Sequence, residues 1–157
     1  MPTHRETRVL PHTPEQIFDL VADVERYPEF LPWCVGARVS RREEALIVAD
    51  LMIGFKMIRE RYTSKVKLDR PSRIDVDYGH DGPFRHLENH WQFKPAENGS
   101  CEVDFFLDFE FRSRMLQRLI GVVFQEAVRR MVAAFESRAK TIYGTAPAGD
   151  PKLAPNS

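Results

Sequence analysis

The sequence predicts an α+β domain: a curved antiparallel sheet of about seven strands, interrupted after the first strand by two short helices and closed by one long C-terminal helix. Three observations predict it. From about residue 35 to residue 111, apolar residues recur with period two between short turn signals, the pattern of half-buried strands. Thr13-Pro14-Glu15-Gln16 forms a helix start, with Thr13 as N-cap, Pro14 in the first helical position and Gln16 placed to close a capping box. Between Ser113 and Tyr143, Leu116, Ile120, Val123, Phe124, Ala127, Met131, Ala134, Phe135 and Ile142 return every three or four positions and so share one helix face.

Taken in order, residues 3 to 10 form a first strand polar enough for a sheet edge. Ile17, Phe18 and Val21 give the first helix its buried side. In the segment from Asp23 to Cys34, Pro28 and Pro32 interrupt a run of aromatic and aliphatic residues. One or two helical turns fit between them, and Tyr27, Phe30, Leu31 and Trp33 need burial. Strands are expected at about 35–42, 45–53, 56–68, 72–79, 86–94 and 101–111. The turns between them fall at Arg42-Glu43-Glu44, around Gly54, at Asp69-Arg70-Pro71-Ser72, at Gly79-His80-Asp81-Gly82-Pro83 and at Asn98-Gly99. Gaps this short pair sequential neighbours antiparallel. The last strand alternates most clearly: Cys101, Val103, Phe105, Leu107, Phe109 and Phe111 against Glu102, Asp104, Asp108 and Glu110, with Phe106 the exception. A sheet with one dry face needs a cover, and the long helix supplies it. Glu126 precedes Arg130 and Glu136 precedes Lys140 in the favourable order, and Gly144 offers a left-handed C-cap.

Composition narrows the classes. The 157 residues suit one domain, here 1–144, followed by a tail, 145–157, expected to be disordered. Lys plus Arg and Asp plus Glu each number 23, so no net field recruits nucleic acid, and DNA is not an expected partner. The two cysteines, Cys34 and Cys101, form no CxxC pair and are expected as free thiols in a reducing compartment. There is no membrane-length apolar run and no N-terminal apolar core of a leader, which points to a cytoplasmic protein, with an inner-membrane surface as a peripheral location.

The order strand, two short helices, six strands, long helix is similar to the helix-grip fold of START-like and Bet v 1-like proteins. Asp23-Val24-Glu25-Arg26-Tyr27-Pro28-Glu29-Phe30-Leu31-Pro32-Trp33-Cys34, with Gly54-Phe55-Lys56 and the run from Gly82 to Phe93, resembles the coenzyme Q-binding START-domain family, within the polyketide cyclase-like superfamily; its bacterial relatives are also named ribosome-association toxins. The resemblance spans about residues 3 to 144. It implies a non-enzymatic carrier of a hydrophobic ligand, ubiquinone or a related polyprenyl lipid, in support of respiratory electron transfer, with no cofactor or metal required. It implies a ligand cavity between sheet and long helix. The residues expected there are Tyr27, Phe30, Leu31, Trp33, Tyr62, Asn89, Trp91, Phe93, Phe105, Phe109, Leu116, Ile120, Val123 and Phe124. The same aromatics also suit an ordinary core. Asn89 and Tyr62 place polar groups on the dry face, where a quinone carbonyl or the backbone can satisfy them.

Other constellations give further expectations. Met115 to Phe124 holds more large apolar residues than one face accommodates, so that some face solvent, a second copy or, beside Arg112, Arg114 and Arg118, an anionic membrane surface. His86, Glu88 and His90 share a wet strand face at metal-compatible spacing, but no third histidine or cysteine is placed beside them, so a solvated ladder is expected. Glu60 shares parity with Tyr62 and Val66 and is the one possible internal acid, unless a bulge turns it outward; an inward acid would favour a cyclase-like enzyme. Arg38, Arg41, Arg42, Lys56, Arg59, Arg61, Lys65 and Lys67 are the basic residues available to a ribosomal RNA partner, though strict strand parity divides them between both faces. No nucleophile elbow, P-loop, dinucleotide fingerprint or zinc-protease helix occurs.

Overall fold

The computed structural model describes residues 3–55, 58–78 and 82–144. Lys56, His80, part of the loop before Gly82 and the tail 145–157 lie outside the described residues. The chain runs β1 (Thr3–Leu10), α1 (Pro14–Ala22), a 3₁₀ turn (Val24–Arg26), α2 (Tyr27–Phe30), β2 (Cys34–Glu43), β3 (Leu46–Phe55), β4 (Ile58–Asp69), β5 (Arg73–Tyr78), β6 (Phe84–Pro95), β7 (Cys101–Phe111) and α3 (Arg114–Tyr143). The strands form a single antiparallel sheet in the order β1-β7-β6-β5-β4-β3-β2, so the polar first strand is indeed an edge.

The capping box of α1 is complete: Gln16 N donates to Thr13 Oγ1 (3.1 Å) and Thr13 N to Gln16 Oε1 (3.0 Å), an arrangement worth about 1 kcal/mol over alanine. The second helix does not lie between the two prolines. It spans Tyr27 to Phe30, with Pro28 in its first turn, where a missing N–H leaves no bond unmade. Trp33 then adopts φ +67°, uncommon for a bulky residue. Its carbonyl accepts from Gly54 N at 2.9 Å, which ties the segment to β3. A Cβ on Gly54 would stand 3.0 Å from side-chain atoms of Val35 and Arg59, so a larger residue would push these neighbours aside by a few tenths of an ångström. Gly54 lies inside β3 and does not break it.

Two clusters of buried side chains pack the inner face of the sheet against the helices. One gathers α1, the middle of the sheet and the C-terminal part of α3, through Ile17, Phe18, Ile47, Ile74, Phe93 and Ala139. The other holds Tyr78, Phe84, Leu87, Phe109, Phe124 and Val128. The stripe on α3 differs from the expected one at its far end. Ile142 is 49% exposed, whereas Val128 (2%) and Ala139 (0%) are buried. In the last turn it is Tyr143 that meets the protein, its ring 6.0 Å from His12, while His12 Nε2 bonds the carbonyl of Gly144 at 2.9 Å. Glu136 also departs from expectation: it reaches Arg8 Nη1 of β1 at 2.9 Å. Gly144 has positive φ (89°) with an extended ψ, ending the helix without a left-handed helical residue.

Candidate functional site

A cavity of about 330 Å³ lies beneath α3. Each element contributes through the face that alternation assigns: Leu51 and Ile53 from β3, Tyr62, Ser64 and Val66 from β4, Ile74 and Val76 from β5, Asn89 and Trp91 from β6, and Phe105, Leu107 and Phe109 from β7. Leu116, Leu119, Ile120, Val123, Met131 and Phe135 roof it, and Tyr27, Leu31, Pro32 and Trp33 form one wall. The proline-broken segment is thus half-buried because it separates the cavity from solvent.

Eleven of the expected residues, Tyr27, Leu31, Trp33, Tyr62, Asn89, Trp91, Phe105, Phe109, Leu116, Ile120 and Val123, line this space. Phe30, Phe93 and Phe124 do not. Phe30 is packed edge-on against Phe135 (5.4 Å) under the guanidinium of Arg138 (5.0 Å). Phe93 packs edge-on against Phe18 at 5.7 Å, and Phe124 lies against Phe109 at 5.6 Å. Leu119, Met131 and Phe135, along with Cys34 and Ser64, line the cavity beyond the expected set, and Glu60, the possible internal acid, lines it as well. The strand parity of Tyr62 and Val66 points to Ser64 as it does to Glu60.

The polar groups differ in how they are satisfied. Asn89 is occupied: its Nδ2 donates to the carbonyl of Phe106 (3.0 Å) and its Oδ1 accepts from Trp91 Nε1 (3.1 Å). Tyr27 Oη donates to the carbonyl of Val21 at 2.5 Å. No partner among the described residues is recorded for the Tyr62 hydroxyl, whose ring stands edge-on to Phe84 at 5.0 Å. Burial pushes the phenols of Tyr27 and Tyr62 well above the usual range, and burial likewise raises the Cys34 thiol, so all three stay protonated at neutral pH. Glu60 pairs in register with Ile53, without a bulge between β3 and β4, and faces inward. At the β1 side of the cavity, Glu6 and Arg8 point inward from the edge strand, with Arg8 bound to Glu6 and Glu136.

The outer face of the sheet is polarised. A bulge between Val39 and Arg41 reverses the parity of β2 and places Arg41 beside Arg38, on the same face as Arg59, Arg61, Lys65 and Lys67 of β4. Strict alternation had divided these residues, because it cannot show a bulge. Arg42 faces away from them and pairs with Glu25. The β6–β7 half instead carries Glu88, Glu102, Asp104, Asp108 and Glu110; Asp104 pairs with Lys94 (3.7 Å) and Glu110 with Arg85 (3.5 Å).

Residues 10–136 match the family model described as polyketide cyclase / dehydrase and lipid transport. The chain belongs to that family. It is 37% identical over 145 residues to the ribosome association toxin RatA of Rickettsia prowazekii, covering 90% of this chain and 99% of that protein. It is also 37% identical over 144 residues to the mitochondrial coenzyme Q-binding protein COQ10 homolog B of Xenopus laevis, covering 90% of this chain but 59% of that longer protein. Among solved structures, the 18 kDa protein CC1736 of Caulobacter crescentus superposes with a TM-score of 0.71 at 37% identity, over 92% of this chain and 99% of that one. The architecture is the START-like helix-grip fold expected from the order of elements. No helix among the described residues is long and apolar enough to cross a membrane.

Proposed function

We propose that this protein is a non-enzymatic carrier for a hydrophobic ligand, ubiquinone or a related polyprenyl quinone foremost, and that it supports respiratory electron transfer in this role. The observation that carries the proposal is the apolar cavity itself, of a size ordinary for small-molecule sites. Its wall of Trp91, Phe105, Phe109 and Ile120 suits a ring and isoprene units. Tyr62 offers a hydroxyl donor to a quinone carbonyl at low desolvation cost, because that hydroxyl already lies in an apolar wall. Catalysis is the weaker reading: an activated nucleophile needs a lowered pKa, and burial raises that of Cys34. The inward Glu60 is a feature favouring a cyclase-like activity. Lipid extraction of mildly purified protein, followed by mass spectrometry, is expected to yield a polyprenyl quinone; repeated absence of any isoprenoid or acyl lipid would remove the proposal.

Loading takes place at a membrane surface in this reading. Met115 (72% exposed) and Val122 (81%) stand two turns apart on α3, beside Arg114 and Arg118, and no acidic residue occurs between Glu110 and Glu126. Between them Leu119 reaches the cavity. Apolar side chains ringed by arginine fit the interface of an anionic bilayer. Met115→Ser with Val122→Ser is expected to cut co-flotation with phosphatidylglycerol vesicles several-fold, and unchanged binding would remove this route.

A second reading has its own observation. The clustered basic face of β2 and β4, together with the likeness to RatA proteins, favours contact with ribosomal RNA. Sedimentation with ribosomal subunits across a salt series tests it: retention at low salt, lost in Arg59→Glu with Lys65→Glu, is the expected result if the basic face is used.

A further inference from the structure

One row of side chains on the outer sheet is used by neither the cavity nor the basic half. His86, Glu88 and His90 point outward from β6, and the neighbouring strands add a carboxylate on either side: Asp108 of β7 is in register with Glu88, and Asp75 of β5 with His90. The sequence alone places no third ligand near this pair of histidines; the fold supplies one. His86 Nε2 lies 3.0 Å from Asp108 Oδ2 and 3.3 Å from Glu88 Oε1, and one donor atom from each of His86, Glu88 and Asp108 lies within 4.8 Å of the other two. Donors at about 2.0–2.1 Å from a tetrahedral zinc ion stand roughly 3.4 Å from one another. The two separations measured from His86 are already near that value.

The surroundings support these donors. Asp108 Oδ1 accepts from Thr3 Oγ1 at 2.6 Å, which leaves Oδ2 for the cluster. His90 Nδ1 lies 2.6 Å from Asp75 Oδ1, and Asp75 Oδ2 accepts from Arg73 Nε at 2.8 Å. A carboxylate holding Nδ1–H is the arrangement that orients metal-binding imidazoles. It turns His90 Nε2 toward Glu88 Oε2, 3.4 Å away, so that His90 fixes the orientation of the Glu88 carboxylate. The His90 ring is held flat on Phe106, with centroids 5.9 Å apart and planes at 17°. The single break in the alternation of β7 thus has a purpose on the outer face.

We propose that His86, Glu88 and Asp108 bind a divalent transition-metal ion, zinc foremost, with water completing the coordination and His90 steering Glu88. One imidazole with two carboxylates selects borderline ions over magnesium or calcium, which prefer oxygen alone. The ion clamps β6 to β7 on the face opposite the cavity, and does so independently of the cavity's contents.

The test is titration of the metal-free full chain with Zn²⁺ against a chromogenic chelator, repeated with Co²⁺ for its visible spectrum. Expected are one tight equivalent, a four- or five-coordinate Co²⁺ spectrum, and at least about tenfold weaker binding in His86→Gln and in Asp108→Asn, with a smaller loss in His90→Gln. Zinc is also expected to raise the thermal midpoint of the wild-type chain, and a chelator to return it. Binding that survives His86→Gln and Asp108→Asn unchanged would place the ion elsewhere and overturn the proposal. A six-coordinate, water-like Co²⁺ spectrum in the wild-type chain, which depends on no variant folding, would overturn it as well, as would no binding at all.

Discussion

From Phe135 to Tyr143, α3 is fastened to the protein by ring contacts, an ion pair and a capping contact, although Phe135 also borders the cavity; between Arg114 and Val123 the same helix borders the cavity and solvent. In the C-terminal half, the ring of Phe135 meets Tyr27 (5.6 Å), Phe30 (5.4 Å) and Trp91 (5.3 Å) edge-on. Ala139 lets the helix approach closely, Arg138 holds Glu29 at 2.8 Å, and His12 receives the end of the helix. In the N-terminal half, Ile120 and Val123 face the cavity and Met115 and Val122 face out. The two halves have comparable apolar content, so hydrophobicity does not separate them. Partner atoms do: an apolar side chain without close neighbours forfeits dispersion contacts and stabilises less than its area suggests.

The sharpest break of this contrast is Phe135→Ala. Removing a ring that touches three others is expected to cost about 3 kcal/mol or more, measured by urea unfolding. Ile120→Ala is expected to cost less than about 2 kcal/mol, since its neighbours already leave space. Equal losses at the two positions would show that the cavity is filled in solution and that the halves do not differ. Next in size, Asn89→Ala strips partners from the Phe106 carbonyl and the Trp91 indole N–H, with an expected loss of about 1–3 kcal/mol. Asn89 serves the wall's own integrity, so this variant should change ligand affinity less than it changes stability.

Much of this was legible in the chain. β1 and β7 run over the expected residues, β7 by its alternation, and the α1 cap is written in Thr13-Pro14-Glu15-Gln16. Alternation assigns a side chain to a face but not to a depth along it. Hence Trp91 lines the cavity while Phe93, two residues on and on the same face, is core beneath α1. Phe124 is misplaced for the same reason: it stands between the lining residues Val123 and Ala127 on α3, yet its ring packs against Phe109 in the core. The bulge in β2 has no signature in composition, and it alone decides whether Arg38 and Arg41 act together. Asp108 was visible as one of a row of outward acids, but its apposition to His86 depends on the β6–β7 register, which only the folded sheet sets.

A finer probe fills the N-terminal half. Ile120→Phe adds volume where the roof has room, so stability should change by less than about 1 kcal/mol, against the 1–3 kcal/mol typical of overpacking in a full core. Quinone recovered by extraction should fall at the same time. A large destabilisation would mean that the roof is as tightly packed as the other half.

The smallest expected change in stability comes from Tyr62→Phe. The hydroxyl of Tyr62 lies in an apolar wall without a recorded partner among the described residues, and burial raises its pKa. Deleting it removes a polar group that folding desolvates and leaves the ring's edge-on contact with Phe84 in place, so urea unfolding should shift by no more than about 0.5 kcal/mol, in the stabilising direction. If that hydroxyl donates to a quinone carbonyl, affinity for a short-chain ubiquinone should fall by about fivefold, the value of roughly one neutral hydrogen bond. A polyprenol of the same tail length, which lacks the quinone carbonyls, serves as the control and should bind both proteins alike. Equal loss for both ligands would assign Tyr62 to the shape of the wall, and no loss for either would turn the search for head-group recognition to the other inward polar groups, Glu60 and Ser64 first.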